Sequence, residues 1–296
     1  MPDFLAGDVI LSKRKIVYQG EPGANSHIAC TQMFPDDEAI ACESFPDAFA
    51  ALADGSADLA MIPIDNTIAG RVADIHHLLP ESDVYIVGEH FLRVNHQLLA
   101  VPGATLETLK TVASHPHALG QCRKNIRALG LQPVVSADTA GAAREIAEAG
   151  DPTRAAIATG LAAKIYGLQP LVTEFEDAAH NTTRFIVLSP TPDDAPLGPD
   201  PVITTFIFKV RNVPAALYKA LGGFATNGVN MIKLESYVDE SFNVAQFYAD
   251  IIGHPEERNV RLALEELGFF TNFLRVLGTY RASPLRAQLM AARPAE

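Results

Sequence analysis

The chain has 296 residues, more than a single hydrophobic core usually serves, so at least two domains are expected. Its 35 acidic against 23 basic side chains leave a net charge of -12, which disfavours nucleic-acid backbones and anionic membrane surfaces as partners. Cys30, Cys42 and Cys122 have no Cys-x-x-Cys spacing, no apolar run reaches membrane-spanning length, and Lys13, Arg14 and Lys15 follow the first apolar stretch rather than precede it. The expectation is a cytoplasmic protein without a disulfide framework, metal or membrane anchor.

From Lys15 to about Leu188 short apolar runs alternate with helical patterns, the βαβ rhythm of a mostly parallel sheet. Strands are predicted at Lys15–Gln19, Ala39–Cys42, Leu59–Pro63, Thr111–Ser114, Pro133–Val135, Ala155–Ala158 and Arg184–Leu188. Helices are predicted at Asn25–Met33, Phe45–Ala53, Val72–Leu79, Ala118–Ala128, Thr139–Ala149 and Leu161–Tyr166. Between Ser189 and Pro201 prolines and aspartates keep the chain extended and mark a linker. Beyond it come strand Ile203–Arg211, helix Ala215–Thr226, strands Asn230–Tyr237 and Asn243–Ile252, helix Glu256–Leu267 and strand Thr271–Leu277. That βαββαβ order reads as a ferredoxin-like α+β module, followed by a weakly periodic tail at Ala282–Glu296.

Four polar segments end strands where an open α/β sheet binds ligands, and a fifth opens one. Gly20 to His27 forms a turn able to present backbone N–H groups to an anion, with Asn25 or Ser26 as helix cap. Asp65, Asn66 and Thr67 cluster before Gly70, more polar groups than one helix cap requires. Ser114, His115, Pro116 and His117 follow another strand; no third ligand at suitable spacing accompanies the two histidines, so a metal site is not favoured. Thr139 opens a helix, and Asn181, Thr182, Thr183, Arg184 and Phe185 begin the last strand of this region. Two hydroxyls beside a guanidinium suit a carboxylate, although a strand-edge Thr pair with a solvated Arg has the same sequence.

In this order and spacing the five segments resemble the prephenate dehydratase family, from Lys15 to about Tyr280. The chain departs from the family pattern at Asp65 for Glu, Thr67 for Ser, His117 for Gln, and in the order Glu21-Pro22. The resemblance implies a two-lobed, periplasmic-binding-protein-like α/β catalytic domain over 1–190, with lobes at about 15–92 plus 172–190 and 93–171. It implies a linker at 191–201, an ACT regulatory domain at 202–280 and a tail at 281–296. The implied activity is decarboxylating dehydration of prephenate to phenylpyruvate, without a cofactor, in L-phenylalanine biosynthesis. Arogenate dehydratase, a dual-specificity enzyme and a non-catalytic binding protein of the same layout are the alternatives.

By the same resemblance Thr183 faces the leaving hydroxyl, with Arg184, Asn181, Thr182 and Phe185 beside it. Arg184 binds a substrate carboxylate or pairs with a lobe carboxylate such as Asp65. Asp65, Asn66, Thr67, Gly70, Ser114, His115, Thr139, Gly20 and Ser26 complete the substrate site. The passage Val84–Val101, with Glu89 and His96, and the return near Leu171–Glu176 become the hinge, His96 being structural. Phenylalanine is the implied effector, held between paired subunits of a homodimer or homotetramer by Val213, Pro214, Ala215, Ala216, Leu217, Asn230, Glu235 and Ser236. Here Ala215 replaces a family glycine, and Tyr237-Val238 replaces Arg-Pro.

Overall fold

The computed structural model describes residues 13–72, 75–178, 180–211, 213–238 and 244–291. In chain order the first lobe opens with β1 (Lys15–Gln19), α1 (Asn25–Met33), β2 (Glu38–Cys42), α2 (Phe45–Ala53), β3 (Leu59–Asn66), β4 (Gly70–Arg71), α3 (Ile75–Glu81) and β5 (Tyr85–Arg93). The second lobe holds β6 (Gln97–Ala100), β7 (Thr111–Ser114), α4 (Pro116–Gln121), α5 (Arg123–Ala128), β8 (Gln132–Val135), α6 (Thr139–Ala149), β9 (Arg154–Ala158), α7 (Gly160–Tyr166) and β10 (Gln169–Val172). The chain then returns as β11 (Thr182–Ser189) to the first lobe. The C-terminal part is β12 (Val202–Val210), α8 (Ala216–Thr226), β13 (Met231–Val238), β14 (Val244–Ile252), α9 (Arg258–Phe270), β15 (Thr271–Arg281) and α10 (Pro284–Ala291). Asn212 and Asn243 lie outside the described residues.

The strands form three sheets, ordered β2-β1-β3-β11-β5, β10-β6-β9-β7-β8 and β13-β14-β12-β15. A mostly parallel sheet is not what forms. β1 pairs in parallel with β2 and β3, and β7 with β8 and β9, but β11 and β6 each run antiparallel to both neighbours. These are the strands that cross between lobes, so they enter each sheet against the direction of the βαβ units. The predicted helix Ala118–Ala128 is two helices broken at Cys122, and the tail forms α10.

Local signals place the helices as expected. Ser44 and Asp47 form a capping box on α2, whose Ala48, Phe49 and Leu52 are buried; Asp138 caps α6, which stops at the left-handed Gly150. Period-2 alternation then sorts the strand side chains between two cores. On β11, Ile186 and Leu188 join the core under α2 and α3, whereas Phe185 and Val187 join the core under α1. On β12, Ile203 and Ile207 enter the first of these cores, and Phe206 and Phe208 pack with α8 and α9. The third sheet is therefore sandwiched between its own helices and the first lobe. Gly278 makes the approach possible, since a Cβ there would overlap the Ile86 carbonyl of β5.

Candidate active site

The returning segment 173–181 meets residues from both lobes at one cleft of about 480 Å3, lined by Ile68, Ala69, His117, Gly120, Gln121, Glu176, Asp177, Ala178 and Asn181. Two of its lining residues, Gln121 and Asn181, belong to a chain of side chains that continues behind the lining to Asn66, Thr183 and His96. Asn66 Nδ2 donates to Thr183 Oγ1 at 2.9 Å and to Asn181 Oδ1 at 2.7 Å. Asn181 Nδ2 donates to Gln121 Oε1 at 2.9 Å, and His96 Nε2 lies 2.8 Å from the same oxygen.

The direction of this chain follows from the backbone. Asn66 Oδ1 accepts the N–H groups of Ile68 and Ala69 at 2.9 and 2.8 Å, so the amino end of Asn66 must face Thr183 and Asn181. The Thr183 oxygen accepts, which leaves its hydrogen to be donated elsewhere. Thr67 locks the same turn to the returning strand, donating to the His180 carbonyl and accepting from the Thr182 N–H, each at 2.9 Å. Gly70, at φ +80, closes the turn by pairing with Asn66.

Thr183, Asn66 and Asn181 thus converge, but Arg184 does not join them. Its side chain is buried on the opposite face of β11, donating from Nε to Glu89 at 2.9 Å, from Nη1 to Asp250 at 2.5 Å and from Nη2 to Tyr280 at 2.9 Å. Glu89 is shared with Arg286, which donates from Nε at 2.7 Å and Nη2 at 2.5 Å. Burial works against the Arg184 charge, but Asp250 and Glu89 outweigh it and hold the guanidinium protonated. Its closest carboxylates are Glu89 and Asp250; Asp65 stands 3.8 Å away and is bound by Lys233 at 2.6 Å. Asp65 and Arg184 therefore face the C-terminal sheet, around a second cavity of about 440 Å3 whose lining also includes Asn66, Thr67 and Thr182.

Other predicted residues have structural partners. Ser114 is fully buried and donates to the Ile157 carbonyl at 2.6 Å, tying β7 to β9. His115 Nδ1 accepts the His117 N–H at the start of α4, and Thr139 opens α6 directly after its cap, Asp138. Phe185 is core beneath α1. Gly20, at φ +113, spends its N–H on the Cys42 carbonyl, and Ser26 is buried in α1. The turn binds the lobes together. Arg144 grips Glu21 at 2.9 and 3.0 Å, Thr159 donates to the Gly23 carbonyl at 2.5 Å, and Tyr166 donates to the Pro22 carbonyl at 2.9 Å. The Arg144 pairing holds the Glu21 carboxyl below its usual range against some desolvation.

A family profile for prephenate dehydratase matches residues 16–193. The chain belongs to the prephenate dehydratase family. It is 50% identical over 275 residues to a bifunctional N-acyl-homoserine lactone acylase/prephenate dehydratase of Komagataeibacter europaeus, covering 93% of this chain and 98% of that protein. Arogenate dehydratase/prephenate dehydratase 1 of Arabidopsis thaliana is 37% identical, covering 91% and 72%. A solved prephenate dehydratase of Arthrobacter aurescens, in complex with L-Phe, superposes with TM-score 0.83 at 28% identity, covering 95% of this chain and 92% of that one.

Within this prephenate dehydratase framework the C-terminal candidates lie on two elements. Val213 and Pro214 precede α8, Ala215 adopts a left-handed φ of +58, and Ala216 and Leu217 begin the helix. Asn230 precedes edge strand β13, which carries Glu235 and Ser236. Arg71 donates to the Ser236 carbonyl at 3.2 Å and lies 3.6 Å from Glu235. Gln121 and the Glu21–Arg144 pair were not singled out from sequence. Gln121 is one amide in a short helix, and its role becomes legible only once the crossing strands place Asn181 and His96 against it.

Proposed function

We propose that the chain is a prephenate dehydratase, converting prephenate to phenylpyruvate, carbon dioxide and water. The observation that carries this reading is the Thr183 hydroxyl, whose oxygen is occupied by Asn66 and whose hydrogen is left to donate. In the reaction the bond to the ring carboxylate breaks, its electron pair aromatises the ring, and the 4-hydroxyl departs as water after gaining a proton. A threonine is too weak an acid to release its proton outright; it hydrogen-bonds the departing oxygen and relays a proton to it. Asn181 and Gln121 line the cleft and orient the polar end of the substrate. Ile68, Ala69, Gly120 and Ala178 provide a less polar wall than water, which favours loss of the carboxylate as carbon dioxide.

Phenylalanine regulation, through an ACT-type C-terminal domain in a dimer or tetramer, belongs to the same proposal. It is supported by the L-Phe complex of the Arthrobacter aurescens relative and by the direct Arg71–Ser236 and Asp65–Lys233 ties between the candidate effector strand and the Asn66 turn. The deciding assay offers prephenate, arogenate and an N-acyl-homoserine lactone to the wild type and to Thr183→Ala. Phenylpyruvate formation is expected from prephenate, falling about a hundredfold or more in the folded variant. Near-normal turnover by the variant refutes the role of Thr183; preferred turnover of arogenate or lactone refutes the substrate.

A further inference from the structure

His96 is 3% exposed, lies where the chain crosses from β5 to β6, and does not line the cleft. Its backbone N–H is fixed by Glu176 Oε2 at 2.9 Å, and its carbonyl accepts from Phe175 at 2.7 Å. The His96 backbone is therefore tied to the returning segment at both its N–H and its carbonyl. What the ring contributes follows from the polarity already set at Asn66. With the Asn66 amino group facing Asn181 Oδ1, Asn181 must turn its own amino group to Gln121, and Gln121 must answer with Oε1. Two acceptors cannot face each other at 2.8 Å, so His96 Nε2 carries the hydrogen. Nδ1 is then a bare acceptor, buried without a partner among the described residues. That arrangement is costly for a residue with only a packing role, which an apolar ring would fill without an orphaned nitrogen. Burial also pushes the imidazole pKa below its usual value, although Gln121 and Glu176 push the other way, which keeps the neutral ring.

We infer that His96 is a positioning residue for Thr183: its Nε2–H is the terminal donor that orients Gln121 and, through it, Asn181 beside the backbone-anchored Asn66, so that the Asn66 amino group stays on the Thr183 oxygen and the hydroxyl hydrogen stays free for the substrate. The inference rests on the dehydratase reading and assigns His96 no contact with substrate. Without the donor, Gln121 Oε1 keeps only Asn181, the Gln121 amide is free to rotate, and Asn181 loses the partner that holds its own amide against Asn66.

The isosteric pair His96→Gln and His96→Asn tests this, because Gln places an amino group near the Nε2 position while Asn places one near Nδ1, out of reach of Gln121. With prephenate, His96→Gln is expected to keep kcat within about threefold of wild type, whereas His96→Asn loses about tenfold in kcat with KM changed by less than about twofold. In a Thr183→Ala background His96→Asn should cost less than about twofold, because the group it aims is gone. Equal kcat values for the two variants, a loss confined to KM, or full additivity with Thr183→Ala overturns the inference. Near-normal turnover by Thr183→Ala alone overturns the underlying reading instead, so the two failures are distinguishable. Thermal melts of both variants identify any loss due to unfolding, and Gln against Asn at similar stability decides the matter.

Discussion

At the seam between the first lobe and the C-terminal sheet, His76 of α3 is 3% exposed, stacks on Tyr237 at 4.6 Å and meets Tyr248 edge-on at 5.2 Å. Neither ring nitrogen has a hydrogen-bond partner among the described residues. Burial pushes the pKa of this imidazole down to about 3; Lys233, Arg71 and His77 push the same way, and Asp250 opposes them. In the unfolded chain the group titrates near its ordinary value of about 6.5. Because the folded value is the lower one, the unfolded chain takes up the proton first as the pH falls. The stability that neutral His76 provides is therefore complete above about pH 6.5 and declines from there toward about pH 3. From these two values the loss between about pH 7 and about pH 5 is about 2 kcal/mol. His76→Phe keeps a ring on Tyr237 and removes the titration. Urea unfolding followed by circular dichroism should show the variant losing about 2 kcal/mol less than wild type over that interval. His27, His90, His96 and His115, also shifted down chiefly by burial, titrate in both proteins and cancel in the difference. A variant as acid-sensitive as the parent removes His76 from the account.

Two further substitutions separate site from scaffold. Arg184→Lys loses the planar fork that serves Glu89, Asp250 and Tyr280 at once, and should destabilise the protein by about 3 kcal/mol in a thermal or urea melt. The KM for prephenate should stay within about twofold below the melting transition; a large rise in KM would return the guanidinium to carboxylate binding. Ala215→Gly relieves a left-handed backbone that costs alanine about 1 kcal/mol, and should raise stability by up to that amount. An unchanged or lower melting temperature contradicts the strain at this position.

The fold was legible where local chemistry and long-range packing agree. The capping box at Ser44, the Pro-rich break after Ser189 and the βαββαβ rhythm after Val202 each describe a nearby physical constraint, and the corresponding elements form. Sheet direction was not legible, because β6 and β11 look like any other apolar run; only the return of the chain from another lobe makes them antiparallel. The candidate site divides in the same way. Asn66, Asn181 and Thr183 announce themselves as polar groups at strand ends. His96 and Gln121 do not, because their significance lies in the contact that forms where a crossing segment meets the end of α4.

Arg184 illustrates the limit most sharply, and one irregularity explains it. Adjacent residues on a strand point to opposite faces, so Thr183 and Arg184 cannot both enter the cleft while β11 stays extended. On the partner strand, simple alternation from Ile62 and Ile64 would put Asn66 on the face that packs against the C-terminal sheet. A register shift between β11 and β3 pairs Arg184 with Asp65 but Phe185 with Pro63, leaving Ile64 unpaired. This bulge reverses the alternation of β3, so that Asn66 lands opposite Thr183 and Asp65 opposite Arg184. The same two dipeptides thereby build two different things: an amide-held hydroxyl on one face, and on the other a buried cation joined to Glu89, Asp250 and Tyr280. The Thr-Arg pair therefore joins two parts of the chain, contacting Asn66 through one side chain and Glu89, Asp250 and Tyr280 through the other, rather than forming one carboxylate clamp.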